Sequence, residues 1–283
     1  MNIGYIGLGH LGKTIANRLI ETGSNLTVWN RTPEKADGMN ATVAASPEEV
    51  ANATDIIFLC LFDSRAVAEV LLEEHGLLEG NVAGKVIIDL TTNHFQDASE
   101  FHGLCEDCGA FYLEAPVLGS VVPASQGALT VLVSGVRKAF ETAKPLLENI
   151  GQNLFYLEEP GLATKMKLIN NLALGSFMAT IAESVAFGEK TGMTKETVLD
   201  ILSAGAGNSM VLNAKKAKLQ SEDFSPHFTN ALIYKDLHCL QDLAYELKTP
   251  LFTASVVKDL FGKAVESGLK DQDFSSIYRV FKK

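Results

Sequence analysis

Asn2-Ile3-Gly4-Tyr5-Ile6-Gly7-Leu8-Gly9-His10-Leu11-Gly12 is the stretch whose reading decides how the first half of these 283 residues folds. A short apolar run, Asn2 to Ile6, meets a GxGxxG motif, and an amphipathic segment, Lys13 to Glu21, follows. Glycine-rich turns are common, but one set between a strand and a helix predicts a dinucleotide cradle. Gly7 permits the tight turn, Gly9 lets a pyrophosphate approach the backbone, and Gly12 lets helix pack on strand. The helix N-terminus offers free N–H groups and its positive dipole end to phosphate, so Leu8, His10 and Leu11 join the glycines as candidate cofactor contacts.

Working outward, a second strand, Asn25 to Trp29, runs into Asn30-Arg31-Thr32. About 20 residues past the glycines, an NAD site would carry an acid for the ribose hydroxyls. Arg31 stands there instead, able to pair bidentately with a 2′-phosphate, and Asn30 and Thr32 add donors. The expected cofactor is therefore NADP(H). An ordinary exposed loop arginine would leave that choice open.

Strands and helices then alternate. A strand is expected at Ala41 to Ala44, a helix capped by Ser46, strand Asp55 to Cys60, helix Ser64 to Leu72 and strand Lys85 to Asp89. This alternation predicts a parallel, doubly wound α/β sheet of the Rossmann kind, with ligands at the carboxyl ends of its strands. Leu61, Phe62 and Thr92 lie on the loops so nominated. Further strands at Phe111 to Glu114, Ala128 to Val133 and Asn153 to Tyr156, with a helix at Arg137 to Ile150, complete this half. Pro160-Gly161 marks a seam. The expected domains are 1–162, Rossmann and NADP-binding, and 163–283, all-helical, with Thr194, Ser209 and Asp273 as caps and no strand after Thr194.

Gly161 to Lys190 leads the second domain. Leu168 to Ala182 holds no charge, and its apolar residues fall on all sides of a 3.6-residue period, which predicts a long helix buried all round. It is too polar to span a membrane, which takes about 20 mostly apolar residues. Lys167 sits at its entrance, with Asn170 and Asn171 one turn along on the same side. Two readings stand. The lysine snorkels to solvent while the amides bond nearby backbone, or it is an enclosed general acid whose pKa burial brings toward the working range.

Composition narrows the partners. With 47% hydrophobic and 20% charged residues the chain is ordinary globular protein, and a net charge of −10 argues against nucleic acid or an anionic membrane as the main partner. Four cysteines do not suggest a disulfide scaffold, and a strand beginning at Asn2 leaves no room for a signal peptide, so the cytoplasm is expected. Cys105 and Cys108 form a CxxC with His102 nearby. No second ligand pair follows, and the pair reads as a helix end before Gly109, so no metal is expected.

These motifs together resemble the β-hydroxyacid dehydrogenase family, and most of all its glyoxylate/succinic semialdehyde reductase branch. The resemblance runs nearly end to end and rests on four motifs in order: Gly7 to Gly12, Ala115-Pro116-Val117-Leu118-Gly119-Ser120, Gly161 to Asn171, and Lys235-Asp236-Leu237. It implies Lys167 as the catalytic lysine, because Lys167-Leu-Ile-Asn170-Asn171 fits K-x-x-N-N where Lys165 does not, with Asn171 beside it. It further implies Thr92 and Lys235 at the cofactor, and Leu118, Gly119, Ser120, Phe228 and Asp236 at the substrate. NADPH preference, a homodimer or homotetramer built through the helical domain, and a site closed between domains are implied likewise.

Three departures from the family pattern stand out. Leu118 replaces the usual serine, which puts substrate identity in question because a lost hydrogen bond shifts specificity strongly. Ala163 replaces a glycine before the lysine, and His10 stands in the first motif as a candidate cofactor contact whose imidazole has no assigned role. The expected reaction is hydride transfer from NADPH to a small, carboxylate-bearing carbonyl such as glyoxylate or succinic semialdehyde, with Lys167 as general acid. The alternatives are oxidation of a 3-hydroxyacid and a non-catalytic NADP-binding module. An imine reductase is disfavoured by the retained lysine.

Overall fold

Strands alternating with helices build the first half of the protein, whose computed structural model describes residues 2–282. β1 (Asn2–Ile6), α1 (His10–Glu21), β2 (Asn25–Trp29), β3 (Thr42–Val43), α2 (Pro47–Ala53), β4 (Ile56–Leu59), α3 (Ser64–Leu72), β5 (Val86–Asp89), α4 (Phe95–Asp107) and β6 (Phe111–Glu114) follow one another. The six strands pair in the order β3-β2-β1-β4-β5-β6, every pair parallel. β4 and β5 are buried at every position, as strands covered on both faces must be. Tyr5, Phe58 and Ile88 point into one core with Ile15 and Leu19 of α1, whereas Ile6, Ile57, Leu59 and Ile87 point into another with Val50, Val67 and Phe101. Period-two alternation of the side chains thus fills two layers from one sheet.

Strand order reverses between β1 and β4, which opens a crevice at the strands' carboxyl ends. Past Glu114 the chain leaves this sheet. β7 (Val117–Leu118), α5 (Val121–Ser125), β8 (Leu129–Val133), α6 (Arg137–Ile150) and β9 (Gly151–Tyr156) form a second sheet in the order β7-β8-β9, with β7 antiparallel to β8 and β9 parallel to it. This separate sheet was not expected from the strand pattern. Pro116 lacks an N–H and cannot extend the β6 ladder, and its carbonyl instead accepts from Leu132 N at 3.1 Å.

The chain divides into two compact units, one up to Lys167 and the other from Leu168. In the second, the remainder of α7 (Leu162–Lys190) is followed by α8 (Lys195–Ala204), α9 (Met210–Ser221), α10 (Asn230–Glu246), α11 (Phe252–Ala264) and α12 (Tyr278–Phe281). Thr194 and Ser209 cap α8 and α9 through their hydroxyls, and Asp273 caps a short 3-10 turn ahead of α12. Among the described residues after Thr194 no strand forms; one isolated bridge joins Thr229 and Asp273. Lys215 and Asp273 make a buried ion pair at 2.7 Å, and Asp273 also accepts from Ser275.

Contrary to the all-round burial expected of it, α7 has an exposed apolar face. Leu162, Met166, Ile169, Phe177 and Phe187 are exposed, Phe187 at 70%, and they follow one another along a single helical stripe. The opposite side carries Leu168, Met178, Ile181 and Val185 into the interior. Apolar residues on both faces erase the amphipathic signal, so periodicity alone could not tell the exposed stripe from a buried one.

Candidate functional site

The glycine motif of the first unit has the shape a pyrophosphate needs. Gly7 has φ +101°, and a Cβ there would stand 2.3 Å from the Cys60 carbonyl oxygen. A Cβ on Gly12 would stand 2.1 Å from the Gly7 oxygen, whereas one on Gly9 would meet nothing within 4 Å. The turn and the helix contact are closed to side chains and the middle glycine faces open space. α1 starts at His10 with no side-chain cap, leaving its first N–H groups to a ligand. A dinucleotide's diphosphate fits that donor set.

Asn30, nominated for the cofactor, also makes bonds within the protein. Its Oδ1 accepts from Leu8 N at 2.8 Å and its Nδ2 donates to Thr32 O at 2.9 Å, so the amide ties the glycine loop to the end of β2. Arg31 is 87% exposed and lies 3.7 Å from Glu69, which also pairs with Arg65 at 2.9 Å. At the ends of β4 and β5 the nominated loops are joined by Leu61 N donating to Thr91 Oγ1 at 3.0 Å, with Phe62 exposed and Thr92 half-buried. Asp89 anchors this corner, accepting from Thr91 N, Asn93 Nδ2 and Tyr112 Oη. Burial raises its pKa despite those bonds.

Lys167 is 7% exposed, which removes the snorkelling reading, and its Nζ donates to Val117 O at 2.9 Å. Val117 belongs to the Ala115–Ser120 stretch nominated for substrate. There Leu118 is half-buried and paired with Thr130 across the sheet, Gly119 has φ +128°, and Ser120 precedes α5 without capping it by its side chain. A Cβ on Gly119 would stand 2.7 Å from Leu129, so backbone shape and packing both demand glycine.

In the second unit three nominated residues meet. Asn171 Nδ2 donates to Asp236 Oδ2 at 2.6 Å, and Lys235 Nζ lies 2.8 Å from Asp236 Oδ1, with Asn171 and Asp236 fully buried. Asn170 Nδ2 donates to Asn171 Oδ1 at 3.2 Å, so the Asn171 amide is oriented from both ends. Phe228 packs edge-on against Phe274 at 5.6 Å and is held by the Asp273 loop.

Comparison with known proteins accounts for this pattern across the chain. Residues 2–158 match the NAD binding domain of 6-phosphogluconate dehydrogenase, and residues 161–281 match the NAD-binding domain of NADP-dependent 3-hydroxyisobutyrate dehydrogenase. The chain belongs to the NAD(P)-dependent hydroxyacid dehydrogenase family. Within it, the chain is 33% identical to glyoxylate/succinic semialdehyde reductase 2, chloroplastic, of Arabidopsis thaliana, over 100% of this chain and 80% of that one. It is 34% identical to the cytokine-like nuclear factor N-PAC of Gallus gallus, over 99% of this chain and 51% of that one. It thus spans about half the length of the N-PAC relatives it matches. The fold superposes on 3-hydroxyisobutyrate dehydrogenase from Salmonella typhimurium with a TM-score of 0.91 at 27% identity, over 99% and 100% of the two chains. Among the described residues no helix of this hydroxyacid dehydrogenase family member is long and apolar enough to cross a membrane.

Two features of the site escaped the sequence reading. Glu114, Ser134 and His102 surround the start of α7, and Glu69 stands between two arginines. A buried carboxylate ending an apolar strand was the only available signal for the first. For the second, Arg65-x-x-x-Glu69 at helical spacing marks the local pair but not Arg31.

Proposed function

We propose that the protein reduces a small aldehyde acid to the corresponding hydroxy acid with NADPH, with Lys167 as the proton donor. The observation that carries the reading is the enclosed Lys167 amine, held on the Val117 carbonyl inside the nominated substrate stretch. A bound reduced nicotinamide supplies the hydride. As negative charge grows on the substrate's carbonyl oxygen, Lys167 gives it a hydrogen bond and then a proton, so the carbon gains hydride and the oxygen gains hydrogen. Asn171 lies one helical turn from Lys167, and Asp236 fixes its amide for a role beside the lysine.

In this reading the backbone N–H groups of Gly119 and Ser120 hold the acid end and Leu118 trims the pocket. Phe228 and Asp236 are its other substrate-side residues, and Thr92 and Lys235 serve the cofactor. Arg31 supports NADPH over NADH, since an exposed guanidinium suits a 2′-phosphate and no acid occupies the ribose position after β2. Assembly as a homodimer or homotetramer is part of the proposal, supported by the exposed apolar stripe of α7. So is a cytoplasmic setting, supported by four free cysteines.

The test is the decay of NADPH absorbance with glyoxylate, succinic semialdehyde, tartronate semialdehyde and methylmalonate semialdehyde. Turnover of at least one, faster with NADPH than with NADH, is expected; no turnover of any would overturn the reading. The match to the 3-hydroxyisobutyrate dehydrogenase domain favours a second reading, oxidation of a 3-hydroxyacid with NADP+. Faster turnover of the hydroxy acid than of every aldehyde would select it.

A further inference from the structure

The start of α7 is capped in an unusual way. The first N–H groups of a helix have no partner within it, and a local Ser, Thr, Asp or Asn normally supplies one. The residue before α7 is Gly161, which has no side chain to offer. Its N–H donates to Glu114 Oε1, and Thr164 N donates to Glu114 Oε2 at 3.1 Å. Ala163 N donates to Ser134 Oγ at 2.9 Å. Both partners are buried and come from strands or strand ends far away in sequence, β6 and the end of β8.

The carboxylate is itself fixed. His102 Nε2 lies 3.0 Å from Glu114 Oε1, with its ring edge-on to Tyr112, and the Glu114 and Ser134 backbones exchange two hydrogen bonds. Burial would raise the Glu114 pKa, yet the bonds from His102, Thr164 and Gly161 hold it below the ordinary range. The group is an anion at the positive end of the helix.

A local cap would stabilise the helix equally without attaching it to anything. This one attaches it to the strand whose continuation holds Lys167. From Glu114 the chain runs three residues to Val117, whose carbonyl takes the lysine amine, and from Thr164 the helix runs three residues to Lys167. The carboxylate closes one end of that loop and the amine closes the other. We infer that Glu114 is a positioning residue for Lys167, seated by His102 and assisted by Ser134, and that it sets where the amine stands for catalysis. This rests on the reading of Lys167 as proton donor.

A double-mutant cycle tests it: wild type, Glu114→Gln, Lys167→Ala and the double variant, with kcat, KM for the best aldehyde and NADPH affinity by fluorescence titration. In the wild-type background Glu114→Gln should lower kcat by about ten- to a hundredfold, the scale of a misplaced catalytic group, while KM and NADPH affinity move by less than about threefold. Glu114→Asp, which restores the carboxylate, should recover a large part of the loss. In the Lys167→Ala background Glu114→Gln should cost almost nothing more. An equal loss in both backgrounds, or no loss in wild type, overturns the inference. If Lys167→Ala alone leaves turnover intact, it is the proton-donor reading that falls. Should Glu114→Gln not fold, Ser134→Ala takes its place in the same cycle, with a smaller loss in kcat expected and the same dependence on Lys167.

Discussion

The Lys167 amine donates a hydrogen bond to the carbonyl oxygen of Val117 at 2.9 Å, and both residues are buried. A lysine taken out of water needs polar partners, because burial of its charged form is costly. Here one partner is a backbone oxygen in the stretch nominated for substrate. That contact holds the amine against the stretch nominated for substrate.

Arg31 should decide between the two nicotinamide cofactors. Replacing it with alanine is expected to weaken NADPH binding by about ten- to a hundredfold, the range for a lost charge-assisted bond, and to leave NADH binding nearly unchanged. Equilibrium titration with both cofactors checks this; equal weakening would mean that Arg31 shapes the loop and does not read the phosphate.

Asn171 and Asp236 should behave as one unit. Each single change, Asn171→Ala or Asp236→Asn, is expected to lower kcat/KM by about ten- to a hundredfold, since each disrupts a buried bond to a charged group. Because they share that bond, the double variant should lose far less than the product of the two. Steady-state kinetics on the four proteins measures the coupling.

Glu222 gives stability a defined acid limit. It ends α9 and accepts from Lys195 at 2.6 Å and Lys282 at 2.8 Å, which hold its carboxyl down at about 2 against an ordinary 4.5. A depressed folded-state pKa contributes stability that is complete above the unfolded value and vanishes as pH falls through the folded one. Glu222→Gln should therefore lower Tm at pH 7 by about 2–4 °C, corresponding to about 1 kcal/mol for a partly exposed network. The gap should close as pH falls from about 4.5 toward about 2. Thermal melts across that window decide it; a gap independent of pH would assign the effect to packing.

The exposed stripe of α7 should carry assembly. Phe177→Glu with Phe187→Glu is expected to shift the protein toward monomer in light scattering, because charge on an apolar contact face opposes its burial. An unchanged mass would place the contact elsewhere.

Much of this was legible in the chain, and the exceptions have physical causes. The strand Phe111–Glu114 and the helices Ser64–Leu72 and Arg137–Ile150 lie where the sequence reading set them, because Asp63, Gly109 and Gly151 punctuate their ends. β9 starts at Gly151, ahead of the expected Asn153, since its first residues pair through backbone without an apolar signal. The bonds Asn30 makes to Leu8 and Thr32 were not legible, since they are a matter of side-chain direction that spacing does not encode. Glu114 was invisible as a cap because Gly161, the first residue it holds, lies 47 residues further on. The enclosed face of α7 was readable at Lys167 and Asn171, where polar residues interrupt an apolar run. Its exposed face was not, because exposed and core-facing apolar residues look alike in sequence.

The most direct measurement is turnover of Lys167→Ala alongside its affinity for NADPH. The proposed chemistry requires kcat to fall by about two or more powers of ten, the usual scale for loss of an acid or base, with NADPH binding preserved. Turnover matching the wild type, in a variant that still binds NADPH, would contradict it.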